Sequence, residues 1–136
     1  MCLPVSVVFA CIRNAGRSQI ASAFFDALAD PVKALSASGG TNPAERVHRE
    51  VVEAMREVGI DVSSRVPQKL TAEMAKGAVL LVTMGCGDRC PYVPGVRTVD
   101  WFLPDPRGQT LERVRAIRDD IRARVVELVL KEGWAR

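Results

Sequence analysis

Residues able to do chemistry cluster at three points in this chain. The first is Cys11-Ile12-Arg13-Asn14-Ala15-Gly16-Arg17-Ser18. A bare Cys-x5-Arg is a weak signal in an arginine-rich sequence. The serine that follows, the apolar run before it and the helical pattern after it sharpen the signal. A short loop between a strand and a helix turns backbone N–H groups inward, and the helix N-terminus adds positive potential. The planar fork of Arg17 suits a tetrahedral oxyanion. Cys11 in that field favours the thiolate, and the Ser18 hydroxyl can donate to its sulfur. Gly16 lets the backbone turn tightly, and Asn14 can bridge the loop's carbonyls and amides. The bland alternative, a buried structural cysteine beside surface arginines, leaves this convergence unexplained.

The second point is Leu103-Pro104-Asp105-Pro106-Arg107-Gly108. Prolines on both sides restrict the backbone around Asp105. A rigidly presented carboxyl suits general-acid work on an oxygen that leaves the anion. Taken alone, Asp105 reads as a turn or N-cap aspartate ahead of the last helix. Paired with the Cys11 loop, it reads as the acid.

The third point is Gly85-Cys86-Gly87-Asp88-Arg89-Cys90-Pro91. Two cysteines at this spacing in a glycine-rich loop can reach the roughly 4.4–6.8 Å Cα separation of a disulfide. Accessible thiols beside a reactive thiolate are what thiol–disulfide exchange uses. Asp88 and Arg89 argue against inert core cysteines. A zinc site is the rival, but it needs two further ligands, and only Cys2, Cys11 and His48 remain to supply them. No resident metal is expected.

The elements that must position these residues are legible from hydrophobic pattern. Val5 to Ala10 is a continuous apolar run, read as a buried strand, and Ser18 to Ala29 carries Ile20, Ala21, Phe24, Phe25 and Leu28 at helical spacing. Val32 to Ser38 reads as a second strand ended by Gly39-Gly40. Asn42-Pro43 reads as the start of a helix whose apolar stripe is Val47, Val51, Ala54, Met55 and Val58. Thr71 opens a short helix, Ala78 to Met84 is a third strand buried on both faces, and Val96 to Val99 is a short fourth. Leu111 to Leu130 is a long final helix, its arginines reading as a solvated face. His48, between Arg46 and Arg49, reads as solvated on the exposed side of its helix. Strands alternating with helices, and nearly all apolar, predict an α/β fold: a doubly wound four-stranded parallel sheet with helices on both faces. The three loops would then stand at the carboxyl ends of the strands, where such sheets place their sites.

Composition bounds the rest. The chain has 136 residues, 48% hydrophobic and 26% charged, with a net charge of +3. That is one domain, 1–136, with enough chain for a core. The small net charge and 5% aromatic content argue against nucleic acid as a partner. The longest apolar run falls far short of the ~18–20 residues a membrane span needs. No basic residue precedes Cys11, so Val7–Cys11 does not read as an export signal. A cytoplasmic protein is expected, where structural disulfides are not, and the cysteines call for a catalytic reading.

These motifs resemble the arsenate reductases built on the low-molecular-weight tyrosine phosphatase fold. The resemblance rests on Cys11-x5-Arg17-Ser18-Gln19, Ser36-Ala37-Ser38-Gly39, Gly59-Ile60-Asp61-Val62-Ser63, Val82-Thr83-Met84-x-Cys86-x3-Cys90-Pro91 and Asp100-Trp101-x3-Asp105-Pro106. It implies that Cys11 attacks arsenate held by Arg17 and the loop amides of residues 12–18, and that Asp105 protonates the leaving oxygen. It implies that Cys86 then attacks the Cys11 adduct and Cys90 takes over the disulfide. No cofactor is implied beyond an external reductant, either thioredoxin or a low-molecular-weight thiol such as mycothiol with its redoxin. Two features depart from the thioredoxin-linked branch: the loop cysteines are closer together, and Ser22 stands where some members have a potassium-site glutamate. A phosphatase acting on phosphate monoesters is the alternative, disfavoured by Arg107 after Asp105-Pro106 and by a single tyrosine, Tyr92. A non-catalytic redox sensor would leave the oxyanion loop without a purpose.

Overall fold

The computed structural model describes residues 3–85 and 93–136. Strand β1 (Val5–Cys11) leads into helix α1 (Arg17–Leu28), then β2 (Ala34–Gly40), α2 (Arg49–Glu57), α3 (Ala72–Lys76), β3 (Leu80–Thr83), β4 (Arg97–Asp100) and α4 (Leu111–Lys131). The four strands form one parallel sheet in the order β2-β1-β3-β4. No helix among the described residues is long and apolar enough to cross a membrane.

Side chains alternate along β1 and so serve two cores. Val7, Phe9 and Cys11 face a large core closed by α1, α2 and α4. Val8 and Ala10 face a smaller one with Leu70, Ala75, Ala78 and Leu81. This is why β1 reads as an unbroken apolar run: it is central and covered on both faces. Phe9 anchors the larger core, its ring 5.8 Å from both Phe25 and Trp101. Truncating such a ring to alanine costs about 3–5 kcal/mol.

Three local readings need correction. Strand β2 begins at Ala34, because Asp30 caps a turn: its Oδ1 accepts from Val32 N at 2.9 Å and its carbonyl from Lys33 N and Ala34 N. The strand also runs through Gly39-Gly40, with Cys11 opposite Gly40. These glycines permit close approach: a Cβ on Gly40 would lie 2.6 Å from the Ile12 carbonyl, and one on Gly39 2.9 Å from Leu70 Cα. Helix α2 begins at Arg49, not at Asn42-Pro43. The intervening backbone bonds to the Cys11 loop, which outcompetes the proline's helix-starting geometry. The α4 face is not all solvated either. Arg118 is buried, donating to the Ala54 carbonyl at 2.8 Å and to Glu57 at 2.9 Å. Arg115 also clasps Glu57, so two α4 arginines tie that helix to α2.

Candidate active site

The Cys11 loop spans from the carboxyl end of β1 to the first turn of α1. Cys11 is 2% exposed, and Asn14 to Ser18 are all buried, with Ile12 and Arg13 half-buried. Outside the loop, the segment after β2 takes its carbonyls in sequence. Thr41 N bonds to Cys11 O, Asn42 N to Ile12 O, Ala44 N to Arg13 O and His48 N to Ala15 O, at 2.8–3.2 Å. Carbonyls turned outward are the counterpart of amides turned inward, the arrangement of an anion-binding nest. The Asn14 amide shows this directly, donating to Cys11 Sγ at 3.2 Å.

Asn14 is the loop's keystone and its strained residue, at φ +50°. For a residue other than glycine this left-handed backbone needs support from its surroundings. Four bonds supply it. Asn14 Nδ2 donates to Ser18 Oγ at 2.7 Å, Gln19 Nε2 donates to Asn14 O and Oδ1, and Gln68 N donates to Asn14 Oδ1 at 3.0 Å. Since Ser18 Oγ accepts from Asn14, its own proton is free for Cys11 Sγ, 2.8 Å away. The sulfur thus faces two donors, the Asn14 amide and the Ser18 hydroxyl. The roles of Gln19 and Gln68 were not apparent from sequence, because a glutamine carries no chemical signature and Gln68 is 54 residues from its partner.

Arg17 opens α1, its side chain only 10% exposed. Its Nη1 donates to the Leu103 carbonyl at 3.1 Å, and its Nη2 lies 4.0 Å from Asp105 Oδ2. Gly85, at φ +86°, makes room for it: a Cβ there would lie 2.5 Å from Arg17 Nη1. The structure thus sets Ser18 against Cys11 and Arg17 beside Asp105. Asp105 Oδ1 also accepts from Arg107 N at 2.9 Å, so the turn-aspartate reading describes the same residue. The α4 N-cap is Thr110, whose Oγ1 accepts from Arg113 N. Cys86 and Cys90, and with them the relay, disulfide and zinc readings of their loop, lie outside the described residues, as do Cys2 and Tyr92.

His48 departs from its solvated reading. It is half-buried before α2 and close to the site, its Cδ2 3.5 Å from where a Gly16 Cβ would stand. Burial holds its pKa below the ordinary 6.5, against the pull of Glu50 and Asp105 and with the help of Arg107 and Arg13. The imidazole is therefore mainly neutral at neutral pH. It lines a cleft of about 390 Å³ with Arg13, Glu45, Arg46 and Arg107. A slightly larger cavity of about 430 Å³ lies along β4 and α4 and is lined by no cysteine, serine or threonine among the described residues.

A buried cysteine facing a loop amide and a serine hydroxyl, in a strand-to-helix loop whose arginine lies 4.0 Å from a loop aspartate, has the layout of a phosphatase-type cysteine enzyme. The profile of the family "Low molecular weight phosphotyrosine protein phosphatase" matches residues 6–89, and the chain belongs to that family. A Halobacterium salinarum protein provisionally named arsenate reductase is 44% identical over 126 residues, covering 88% of this chain and 87% of its own. The structure is similar to the thioredoxin-dependent arsenate reductase of Corynebacterium glutamicum, with a TM-score of 0.81 and 35% identity. That match covers 95% of this chain and 62% of the other, so this chain spans less than two thirds of that relative. An arsenate reductase solved in its phosphate-binding state has a TM-score of 0.77 and 32% identity, over 93% and 98% of the two chains.

Proposed function

We propose that the protein reduces arsenate to arsenite through a covalent Cys11 adduct. The observation that carries the reading is the constellation itself: Cys11 Sγ faces the Asn14 amide and the Ser18 hydroxyl, and Arg17 of the same loop lies 4.0 Å from Asp105. The similarity to arsenate reductases over most of the chain supports it.

In this reading the loop amides and the Arg17 guanidinium hold a tetrahedral oxyanion against Cys11. The Cys11 thiolate attacks As(V), forming an S–As bond, and one arsenate oxygen leaves as water with its last proton from Asp105. A second thiol then attacks Cys11 Sγ. The S–S bond forms as the S–As bond breaks, and the bonding pair stays on arsenic. Two thiols become one disulfide while arsenic falls from +5 to +3. Cys86 is assigned as that second thiol. Cys90 then attacks Cys86, freeing Cys11 and leaving a Cys86–Cys90 disulfide for an external reductant. Thioredoxin, or a low-molecular-weight thiol such as mycothiol with its redoxin, fills that role, and the cell interior is the compartment that supplies either.

Phosphate monoester hydrolysis would use the same first step. Among the described residues, the cleft beside Arg13 of the Cys11 loop is lined by Glu45, Arg46, His48 and Arg107, a charged lining that offers no apolar face to a phenyl leaving group. Turnover of arsenate with thioredoxin and its reductase, compared with mycothiol and its redoxin, tests the reading. Arsenate-dependent consumption of reductant by one of the two systems is expected. Hydrolysis of aryl phosphates with no arsenate reduction from either would favour the phosphatase.

A further inference from the structure

Below the Cys11 loop, α1 and β2 border a polar cleft of about 240 Å³, lined among others by Gln19, Ser22, Asp26, Ser36 and Arg65. The Arg65 guanidinium spans it. Its Nη1 donates to Ser22 Oγ at 3.2 Å and its Nη2 to Asp26 Oδ2 at 3.1 Å. Ser36 Oγ donates to Asp26 Oδ1 at 2.7 Å and lies 2.8 Å from Ser22 Oγ. Ser22 stands where some members of the resembled family have a potassium-site glutamate, so the fit of a potassium ion can be tested on these residues. A potassium ion wants several oxygens whose lone pairs are free to face it. Here the oxygens of Ser22 and Asp26 already accept from a cation, and Asp26 is the only carboxylate lining the cleft among the described residues. Gln19 Oε1 is a buried acceptor without a partner among the described residues. An ion drawn to it would share a small cleft with a guanidinium of like charge. These residues do not fit a potassium site.

We propose that Arg65 is the cleft's own cation, and that it positions the oxyanion loop without any monovalent metal ion. The connection is short. Ser22 follows Gln19 by one helical turn on α1, and these side chains share a face. Gln68 follows Arg65 by three residues on the segment before α3. Gln19 and Gln68 are two of the grips on Asn14, whose amide points at Cys11 Sγ. By tying its own segment to α1, Arg65 fixes the separation of those two grips. It is a positioning residue, acting on the anion site through Asn14.

The probe is inorganic phosphate, whose binding does not depend on which oxyanion the enzyme turns over, so the outcome is separable from the reductase reading. Phosphate affinity by calorimetry and Tm are measured in KCl and in choline chloride at equal ionic strength. The wild type should give the same values in both. Arg65→Met should bind phosphate several-fold more weakly, whereas Arg65→Lys, with a similar stem and the charge retained, should recover much of the loss. A wild-type affinity or Tm that rises in KCl would overturn the proposal. So would Arg65→Met binding phosphate like the wild type, or Lys and Met variants weakened equally.

Discussion

The Cys11 loop and the Asp105 loop flank the same site and are built by opposite means. The first is buried and held from both sides: its outer carbonyls bond to residues 41–48, and its one strained residue is held by Ser18, Gln19 and Gln68. The second presents a half-exposed carboxylate between two prolines, with a single turn hydrogen bond from Arg107 N. Binding a fixed tetrahedral anion rewards donors already in place, since no reorganisation is then needed at the moment of reaction. Supplying a proton once per turnover rewards contact with water, where the carboxyl can be reprotonated. In the proposed reading the two loops divide affinity from proton delivery, and substitutions should divide the same way.

Short of replacing Cys11 itself, the largest expected effect comes from the exposed loop. Asp105→Asn should lower arsenate turnover by about 10²–10⁴-fold, the range for losing a general acid. Stabilisation of the fold by phosphate, read as a Tm shift, should persist. Equal losses in both readouts would erase the division. Arg17→Lys keeps the charge but loses the fork. Hydrogen bonds to charged groups contribute about 1.5–3 kcal/mol, so phosphate should bind roughly ten- to a hundredfold more weakly, as titration calorimetry would show. Asn14→Ala removes the side-chain grips from a backbone at φ +50°. It should cost about 1–3 kcal/mol of stability and weaken phosphate binding in the same protein. A variant that loses neither would mean that the loop holds its shape without them.

A control far from both loops gives the smallest effect. The Glu57 carboxyl on α2 is held down to about 2 from its ordinary 4.5, chiefly by the side-chain hydrogen bond from Arg115 and also by that from Arg118, against some desolvation. Its folded pKa is depressed, so its contribution to stability is fully present above the unfolded value and fades as pH falls through the window between 4.5 and 2. Glu57→Gln should therefore lower Tm modestly at neutral pH, and that deficit should close on acidification through this window. A deficit constant with pH would point to lost packing and not to the ion pairs.

Sequence exposed these parts unequally. Cys11, Arg17, Ser18 and Asp105 were legible because their chemistry restricts residue type and their spacing is local. The parallel sheet was legible because β1 and β3, each covered on both faces, leave unbroken apolar runs. What stayed hidden is non-local and chemically ordinary. Gln68 and Arg65 act across tens of residues through single polar contacts. Asn42-Pro43 carries a sound helix-start signal, yet its backbone is committed to the loop carbonyls and α2 waits until Arg49. Gly39-Gly40 looked like a strand end, but a glycine also permits close approach, and β2 uses both residues beside Ile12 and Leu70.

The most direct test of the central claim is a single turnover with pre-reduced protein, excess arsenate and no external reductant, counting arsenite released and mapping cysteines by mass spectrometry under non-reducing conditions. The account expects about one arsenite per chain, a Cys86–Cys90 disulfide in the wild type, a trapped Cys11–Cys86 disulfide in Cys90→Ser, and no arsenite from Cys11→Ser, because an alcohol at that position is not ionised. Arsenite released by Cys11→Ser, or none from a wild type that binds phosphate at its loop, would contradict it.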